Sequence, residues 1–341
     1  MSRTQVRQRP VVSFIAWSRV AGRSAEIAEA LGGEARCFFP RSLRDRRWIL
    51  LRYAASAGQT IAYLVRARPR SLIVTNPPVF PGLIVIAYGL LARVPVALDS
   101  HPAAFGAKDH VLWGRLAPVH AWMARRSQAV LVTTSQWQAV VDQWGGRGLV
   151  VHEAPHPALL DLPAAPTAGR RRVVFVGTFA NDEPVDAVLA AARALPDVDV
   201  VVTGDPARAR PGQLDDLAPN VELSGFVSFD RYVDLLARAN VVMSLTTEPT
   251  SIMRAAYEAV YARRPLVTSD WPELRALFPA AVFVANDADS IAAGMRGALD
   301  RLEELDAATP VAQATQGARW AEQRAALAGA LGISGADDHS G

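Results

Sequence analysis

The sequence predicts an α/β protein made of two doubly wound domains in series. Three observations lead there. Short β-rich runs alternate with longer helical patterns almost throughout the 341 residues. The runs are apolar at successive positions, so both faces of each strand would be covered, as in a parallel sheet packed between helices. The alternation then pauses at 154–169, "APHPALLDLPAAPTAG", and restarts beyond it. A stretch so rich in proline and small residues suits an interdomain connection.

In the first round, "VVSFIA" (11–16), "SLIVT" (71–75), "PVALD" (95–99), "AVLVT" (129–133) and "LVVH" (149–152) are the expected strands. "AWSRVAGRSAEIAEAL" has the form of a strand's exit loop followed by a helix. The most apolar window, "VFPGLIVIAYGLLA" (79–92), is shorter than the ~20 residues needed to cross a bilayer and contains Pro81 and Gly82, which excludes a membrane span there. In the second round the expected strands are "RRVVFVG" (171–177), "VDVVVTG" (198–204), "NVVMSL" (240–245), "PLVTS" (265–269) and "AVFVA" (281–285). Residues 287–305 and 310–331 are expected to be helices, the second with Trp320 among alanines and leucines and in need of a surface to pack on. The opening "MSRTQVRQRP" and closing "SGADDHSG" are expected to be tails, and no repeat of fixed period occurs.

Half of the residues are apolar and a fifth charged, the balance of a soluble globular protein with room for two cores. The single cysteine, Cys37, cannot form an internal bridge, and no basic-apolar leader opens the chain, so a reducing cytoplasm is the expected location. The net charge of +3 hides an asymmetry: residues 1–165 carry 20 Arg/Lys against 9 Asp/Glu, the rest 16 against 24. A basic half can face nucleic acid, an anionic membrane or a phosphorylated substrate, and charge alone does not choose.

The chemistry of the second half centres on "TSIMRAAYEAVYA" (250–262), a helical stretch between two apolar strands. In doubly wound sheets, ligands sit beyond the carboxyl ends of the strands. A helix beginning near Ser251, capped by Thr250 or Ser251, would offer free amides to a phosphate. Glu258, further along, would accept hydrogen bonds from a neighbouring sugar's hydroxyls, or else be an ordinary surface residue.

The span 173–279 resembles the nucleotide-sugar-binding domain of GT-B glycosyltransferases, in particular the mostly retaining enzymes that build bacterial polysaccharides and glycolipids. "RRVVFVGTF" looks like that family's first strand and glycine turn; "NVELSGFVSFDRYVDLLARANVVMSLTTE" and "YEAVYARRPLVTSD" look like its later blocks, in the same order. The resemblance implies a GT-B fold: two Rossmann-like domains facing a central cleft, with the C-terminal helix crossing back to the first domain. It implies that Gly177, Thr178, Thr250, Ser251, Ile252, Arg254 and Glu258 bind the donor, with Glu258 on the nucleotide's ribose. The chain departs from the pattern twice. The family's first glutamate falls at position 250, which is threonine, with Glu248 two residues too early; and the arginine and lysine that follow the first-strand glycine in many relatives are replaced by Thr178 and "FANDEPVD". Arg254, helix amides or arginines of the first domain would then have to meet the diphosphate. Trp271 either stacks on a base or fills an interface.

The resemblance extends more loosely over 10–157. Arg19, Gly22, Arg23 and Ser24 would meet a phosphate at a helix N-terminus, and Asn76, in "TNPPVFPG", would line the acceptor site. In "VALDSHPAAFG", His101 matches a histidine the family places near the donor sugar, while Asp99 is an alternative general base for an inverting enzyme. Residues 41–70 carry apolar residues with basic groups at both ends, a composition suited either to packing on the sheet or to lying on an anionic bilayer. The histidines at 110, 120, 152, 156 and 339 have no metal-ligand spacing, so no metal site is expected.

The expected protein is thus a cytoplasmic transferase, peripheral to the membrane's inner face if 41–70 binds lipid, that moves a sugar from a nucleotide-diphosphate donor to a saccharide or lipid-linked acceptor, with neither metal nor nucleic acid. Its expected domains are 1–157 (acceptor), 158–310 (donor), a returning helix at 311–332 and a tail at 333–341. A catalytically impaired binding partner of an active transferase is the competing reading, and a nucleotide-sugar epimerase a third.

Overall fold

The computed structural model describes residues 9–19, 22–40, 42, 45–106, 115–165 and 169–333. Arg41 and Arg44 of the basic segment and His110 lie outside the described residues. The chain divides into two compact units, Met1–Ala154 with Trp320–Gly341, and Pro155–Arg319.

In the first unit, β1 (Val12–Ala16), β2 (Glu34–Cys37), β3 (Ser71–Asn76), β4 (Val96–Ser100), β5 (Ala129–Val132) and β6 (Gly148–Val150) form one sheet in the order β2-β1-β3-β4-β5-β6, every pair parallel. The helices α1 (Gly22–Ala30), α2 (Ile49–Ala67), α3 (Val79–Ala92), α4 (Ala117–Arg126) and α5 (Ser135–Gln143) connect the strands. Alternate residues serve opposite faces. Phe14, Ile73 and Leu131 pack with Ile27 of α1, while Ile15, Val74 and Leu98 pack with Leu64, Ile86, Met123 and Val141 of the other helices. The direction of winding reverses between β1 and β3, so their exit loops diverge and open a crevice at the carboxyl edge.

In the second unit, β7 (Arg172–Phe175), β8 (Asp199–Thr203), β9 (Val221–Gly225), β10 (Val241–Ser244), β11 (Leu266–Ser269) and β12 (Val282–Val284) run in the order β12-β11-β10-β7-β8-β9, again all parallel. The reversal falls between β7 and β10. The helices are α6 (Pro157–Leu160), α7 (Val185–Arg193), α8 (Phe229–Ala237), α9 (Arg254–Tyr261), α10 (Pro272–Leu277), α11 (Ala288–Asp300) and α12 (Leu302–Ala330). Two parallel six-stranded sheets flanked by helices, one in each unit, make the GT-B fold.

Three local expectations differ from what is observed. Strands β2 and β9 were not legible as strands. Both are edges of their sheets and mostly half-buried, so neither carries the uninterrupted apolar run that marks an inner strand. The connecting segment is no bare linker, because Leu159 and Leu162 are buried in the second unit's core. The final helix starts at Leu302 rather than at Pro310, which lies inside it. A proline removes the amide that would reach the carbonyl four residues back; here the Thr309 hydroxyl donates to that carbonyl, on Asp306, at 2.8 Å. From Trp320 onward the same helix belongs to the first unit, where Trp320, Leu327 and Leu331 join the core beside α1, and Gln323 accepts from the His152 amide at 2.8 Å.

Arg264 is the largest fully buried side chain among the described residues, and it donates only to backbone carbonyls: Leu236 and Ala237 at the end of α8, Ala262 and Arg263 after α9, and Pro163 of the connecting segment. Burial lowers its pKa. Arg264→Met should unpair several of these carbonyls and lower the unfolding free energy by about 3 kcal/mol, measurable by urea denaturation.

Candidate functional site

Polar side chains collect at the carboxyl edge of each sheet. In the second unit, β7 exits through Gly177 and Thr178 and β10 through Thr246 and Thr247. The two loops join where the Thr247 amide donates to the Asp182 carbonyl at 2.7 Å. Gly204, at φ +106°, approaches the Gly177 carbonyl so closely that a Cβ would stand 2.8 Å from it. The backbone is therefore tight at this corner, and its donors are already used. The Gly177 amide donates to Thr203 Oγ1, and the Glu183 carboxylate accepts from the Thr178 amide (2.8 Å), the Thr178 hydroxyl (3.0 Å) and the Ala180 amide (3.1 Å). An internal carboxylate thus occupies the turn where Gly177 and Thr178 were expected to receive a donor.

The helix α9 begins at Arg254, capped by the backbone of Met253 with no side-chain cap, and not at Ser251. Thr250 and Ser251 instead belong to a turn closed on Glu248: the Ser251 amide donates to the Glu248 carbonyl and the Thr250 hydroxyl to the Glu248 carboxylate, both at 3.1 Å. The carboxylate absent at position 250 is present two residues earlier, tethered to the threonine. Ile252 is half-buried against the core, and Trp271, packed on the same cluster, donates its indole N–H to the Thr246 carbonyl at 2.9 Å. Trp271 therefore packs within its own unit.

Glu258 is 8% exposed although it carries charge. Arg254 Nε donates to one carboxylate oxygen and the Tyr232 hydroxyl to the other, each at 2.6 Å. Arg254 is one turn before Glu258 on the same helix, the spacing that lets two side chains meet. Burial first, and then the neighbouring carboxylate, push the Tyr232 phenol well above its ordinary pKa, so it remains a donor at any physiological pH. Tyr232 was not anticipated from the sequence. Its signal was the face it shares with Phe229 on α8, whose ring lies 6.3 Å away.

In the first unit the centre is Asp99, at the end of β4 and 2% exposed. Arg23 of α1 reaches it at 3.4 Å and also donates to Glu153 (2.8 Å) and to the carbonyls of His152 (3.0 Å) and Val151 (2.7 Å). His101 Nε2 stands 3.4 Å from the other Asp99 oxygen. Burial acts to raise the Asp99 carboxyl, but Arg23 and His101 outweigh it and hold the pKa at about 2. Asp99 is therefore ionised near neutral pH, beside the His101 imidazole. Burial acts to lower the His101 imidazole, and Asp99 more than compensates, so its pKa is raised. With its side chain 41% exposed, the imidazole still reaches solvent.

Arg23 is likewise no anion receptor, since its guanidinium is committed to two carboxylates and two carbonyls. Gly22 and Ser24 flank it in the first turn of α1. Arg19 is apart from them and lies over the Phe39 ring at 5.2 Å, with Arg52 at 4.9 Å from the same ring. Asn76 does not line an open site: it is 1% exposed and donates to Ser100 Oγ at 3.1 Å, beside His120 Nδ1 at 3.0 Å. Strand alternation turns it to the face opposite Asp99's. On the Asp99 face, Thr75, which pairs with Asp99 across β3 and β4, has a buried hydroxyl without a partner, as does Thr133 beyond β5. Polar atoms so placed suit a ligand's hydroxyl groups or ordered water better than a phosphate. Among the described residues no three His, Cys, Asp or Glu side chains converge as a metal set.

Residues 184–327 match a family model described as glycosyl transferase-like. No curated protein matches the sequence. Among solved structures, the chain is similar to Alr3699/HepE of Anabaena in complex with UDP-glucose, with a TM-score of 0.70, 14% identity and coverage of 94% of this chain and 99% of that one. Sucrose-phosphate synthase of Thermosynechococcus elongatus gives 0.62 and 15%, covering 92% and 99%, and a glycosyltransferase of Rickettsia africae gives 0.67 and 10%, covering 96% and 99%. At such identities the likeness establishes the shared GT-B fold.

The two titrations have opposite signs. The charged His101–Asp99 pair stabilises folding below the unfolded histidine's value of 6.5 and loses that contribution as pH rises through the higher folded value. The Asp99 contribution is complete above the unfolded carboxyl's 3.8 and is lost as pH falls through about 2. Asp99→Asn should therefore move the His101 pKa downward from that of the parent, as burial acts unopposed by that carboxylate; an NMR titration of the imidazole reads the shift.

Proposed function

We propose that the protein transfers a sugar from a nucleoside-diphosphate sugar to an acceptor hydroxyl, with Glu258 holding the ribose. The observation that carries this reading is the state of that carboxylate. It stands near the start of a helix beyond the β7/β10 switch point of a glycosyl transferase-like domain, and its two oxygens hold one donor each. A carboxylate has about four acceptor positions, so each oxygen can take one more hydrogen bond, the demand of a vicinal diol. Arg254 and Tyr232 fix its orientation beforehand, which reduces what a ligand must order on binding. The solved structure of a fold relative with UDP-glucose supports the uridine series as the first donors to try.

The phosphates must be met without cations from the β7 exit, since "GTFANDEP" has none. The uncapped first turn of α9 and the Arg254 guanidinium are the groups this unit offers to the leaving diphosphate. In the first unit, the neighbouring Asp99 raises the His101 pKa against the effect of burial, which favours the protonated imidazole as a hydrogen-bond donor. Its proposed role is to stabilise charge on an oxygen during transfer, with Asp99 fixing its orientation. The acceptor presents hydroxyls, in keeping with the unpartnered Thr75 and Thr133. A polysaccharide or a lipid-linked sugar meets that requirement.

One observation favours a second reading, a nucleotide-binding partner of an active transferase: the β7-exit amides are satisfied internally by Glu183. Binding of UDP without transfer from, or hydrolysis of, any UDP-sugar would decide for it.

Glu258→Ala should weaken UDP binding about 100-fold or more in calorimetry, the loss of two hydrogen bonds to a charged group; unchanged affinity would remove the ribose assignment. His101→Ala should lower turnover about 100-fold while leaving UDP affinity as it was, and a fully active variant would return this histidine to a purely structural role.

A further inference from the structure

Helix α2 is inside out. Its buried residues are Ser56, Thr60 and Leu64, whereas Leu50, Leu51, Ile61 and Val65 are 50–82% exposed. A surface helix normally shows the reverse pattern. The inner hydroxyls have partners: Ser56 donates to the Phe38 carbonyl, and Thr60 both donates to the Ser56 carbonyl and accepts from the Trp17 indole. The polar face is thus satisfied against the sheet, and the apolar face is left outward. Helix α3, packed beside α2, extends that face with Leu90 at 52% and Leu91 at 88% exposed, and Trp48 and Phe80 border its other end at 43% and 45%. Eight of the thirteen large apolar side chains that the described residues leave exposed therefore belong to 48–91. Single exposed apolar residues need no explanation; a contiguous face does.

The charge pattern identifies what covers it. Residues 46–98 contain seven arginines and no aspartate, glutamate or lysine. Arg47 precedes α2, Arg66 lies in its last turn and Arg93 caps α3, so the cations stand at the ends of the apolar helices. A second copy of the chain would bring the same cations against these, a repulsive arrangement across a two-fold axis. A surface combining apolar depth with negative charge meets both demands, and an anionic lipid bilayer is such a surface. We propose that the outward face of α2 and α3 rests on an anionic bilayer, with leucines, isoleucine and valine in the acyl boundary and arginines on the headgroups. At 1.5 Å per residue α2 is about 28 Å long and would lie in the plane of the interface. Among the described residues no helix is long and apolar enough to cross a membrane, so this contact is peripheral. It does not depend on the chain's transferring sugar.

The test is flotation of the full chain with vesicles of phosphatidylcholine alone and of phosphatidylcholine with one-third phosphatidylglycerol. The parent should float with the anionic vesicles, be released by high salt and ignore the neutral ones. Leu50→Ser/Ile61→Ser/Leu91→Ser should reduce flotation about tenfold or more. Arg47→Glu/Arg66→Glu, which leaves every buried contact in place, should do the same, and both variants should keep the parent's circular dichroism melt. A parent that does not bind anionic vesicles, or serine and glutamate variants that bind as well as the parent, would overturn the proposal. So would light scattering that finds a dimer dispersed by the serine substitutions together with no vesicle binding, since the face would then belong to a second copy.

Discussion

Covering a parallel sheet on both faces leaves its strands no room for polar side chains except at their ends. That constraint organises both units. The inner strands are mainly buried apolar residues, and the groups capable of chemistry gather at their carboxyl ends: Asp99 near the end of β4 and His101 beyond it, Gly177 and Thr178 after β7, Thr246 and Glu248 after β10. The winding reversals at β1/β3 and β7/β10 spread the exit loops apart and decide where along each edge a ligand has space.

At both edges a buried carboxylate is held by an arginine, from α1 in the case of Asp99 and from its own helix in the case of Glu258, and the consequences differ. Arg23 meets one oxygen of Asp99 and one of Glu153 together with two backbone carbonyls, and with His101 it holds the Asp99 pKa at about 2 against the effect of burial. Arg254 engages only one Glu258 oxygen, Tyr232 the other, and each oxygen keeps an acceptor position. The first carboxylate is thereby held ionised beside His101, and the second is oriented by two donors. Glu183 illustrates a third outcome, a carboxylate that closes a turn on itself and takes amides a phosphate would otherwise use.

The inner strands, the double alternation and the transferase-like second half were legible because burial on two faces writes an unmistakable apolar run. The edge strands β2 and β9 were not, since half of each faces outward and its composition relaxes. Glu258 stood out through the motif around it, while its partner Tyr232 lies 26 residues earlier and nothing local marks Arg264 as buried. Asn76, Arg23 and Asp99 were correctly placed at strand or helix ends, but their partners, and hence their duties, come from segments as distant as Glu153 and His120.

By itself the sequence determined the fold class, the two rounds of winding and the charge asymmetry, because periodicity and composition are local properties of a chain. Only the tertiary structure decided which polar groups are already spoken for, where α9 begins, and that α2 turns its apolar side outward. Those depend on which distant side chain arrives to satisfy a donor or an acceptor, and a buried polar group's behaviour is set by that partner rather than by its neighbours in sequence.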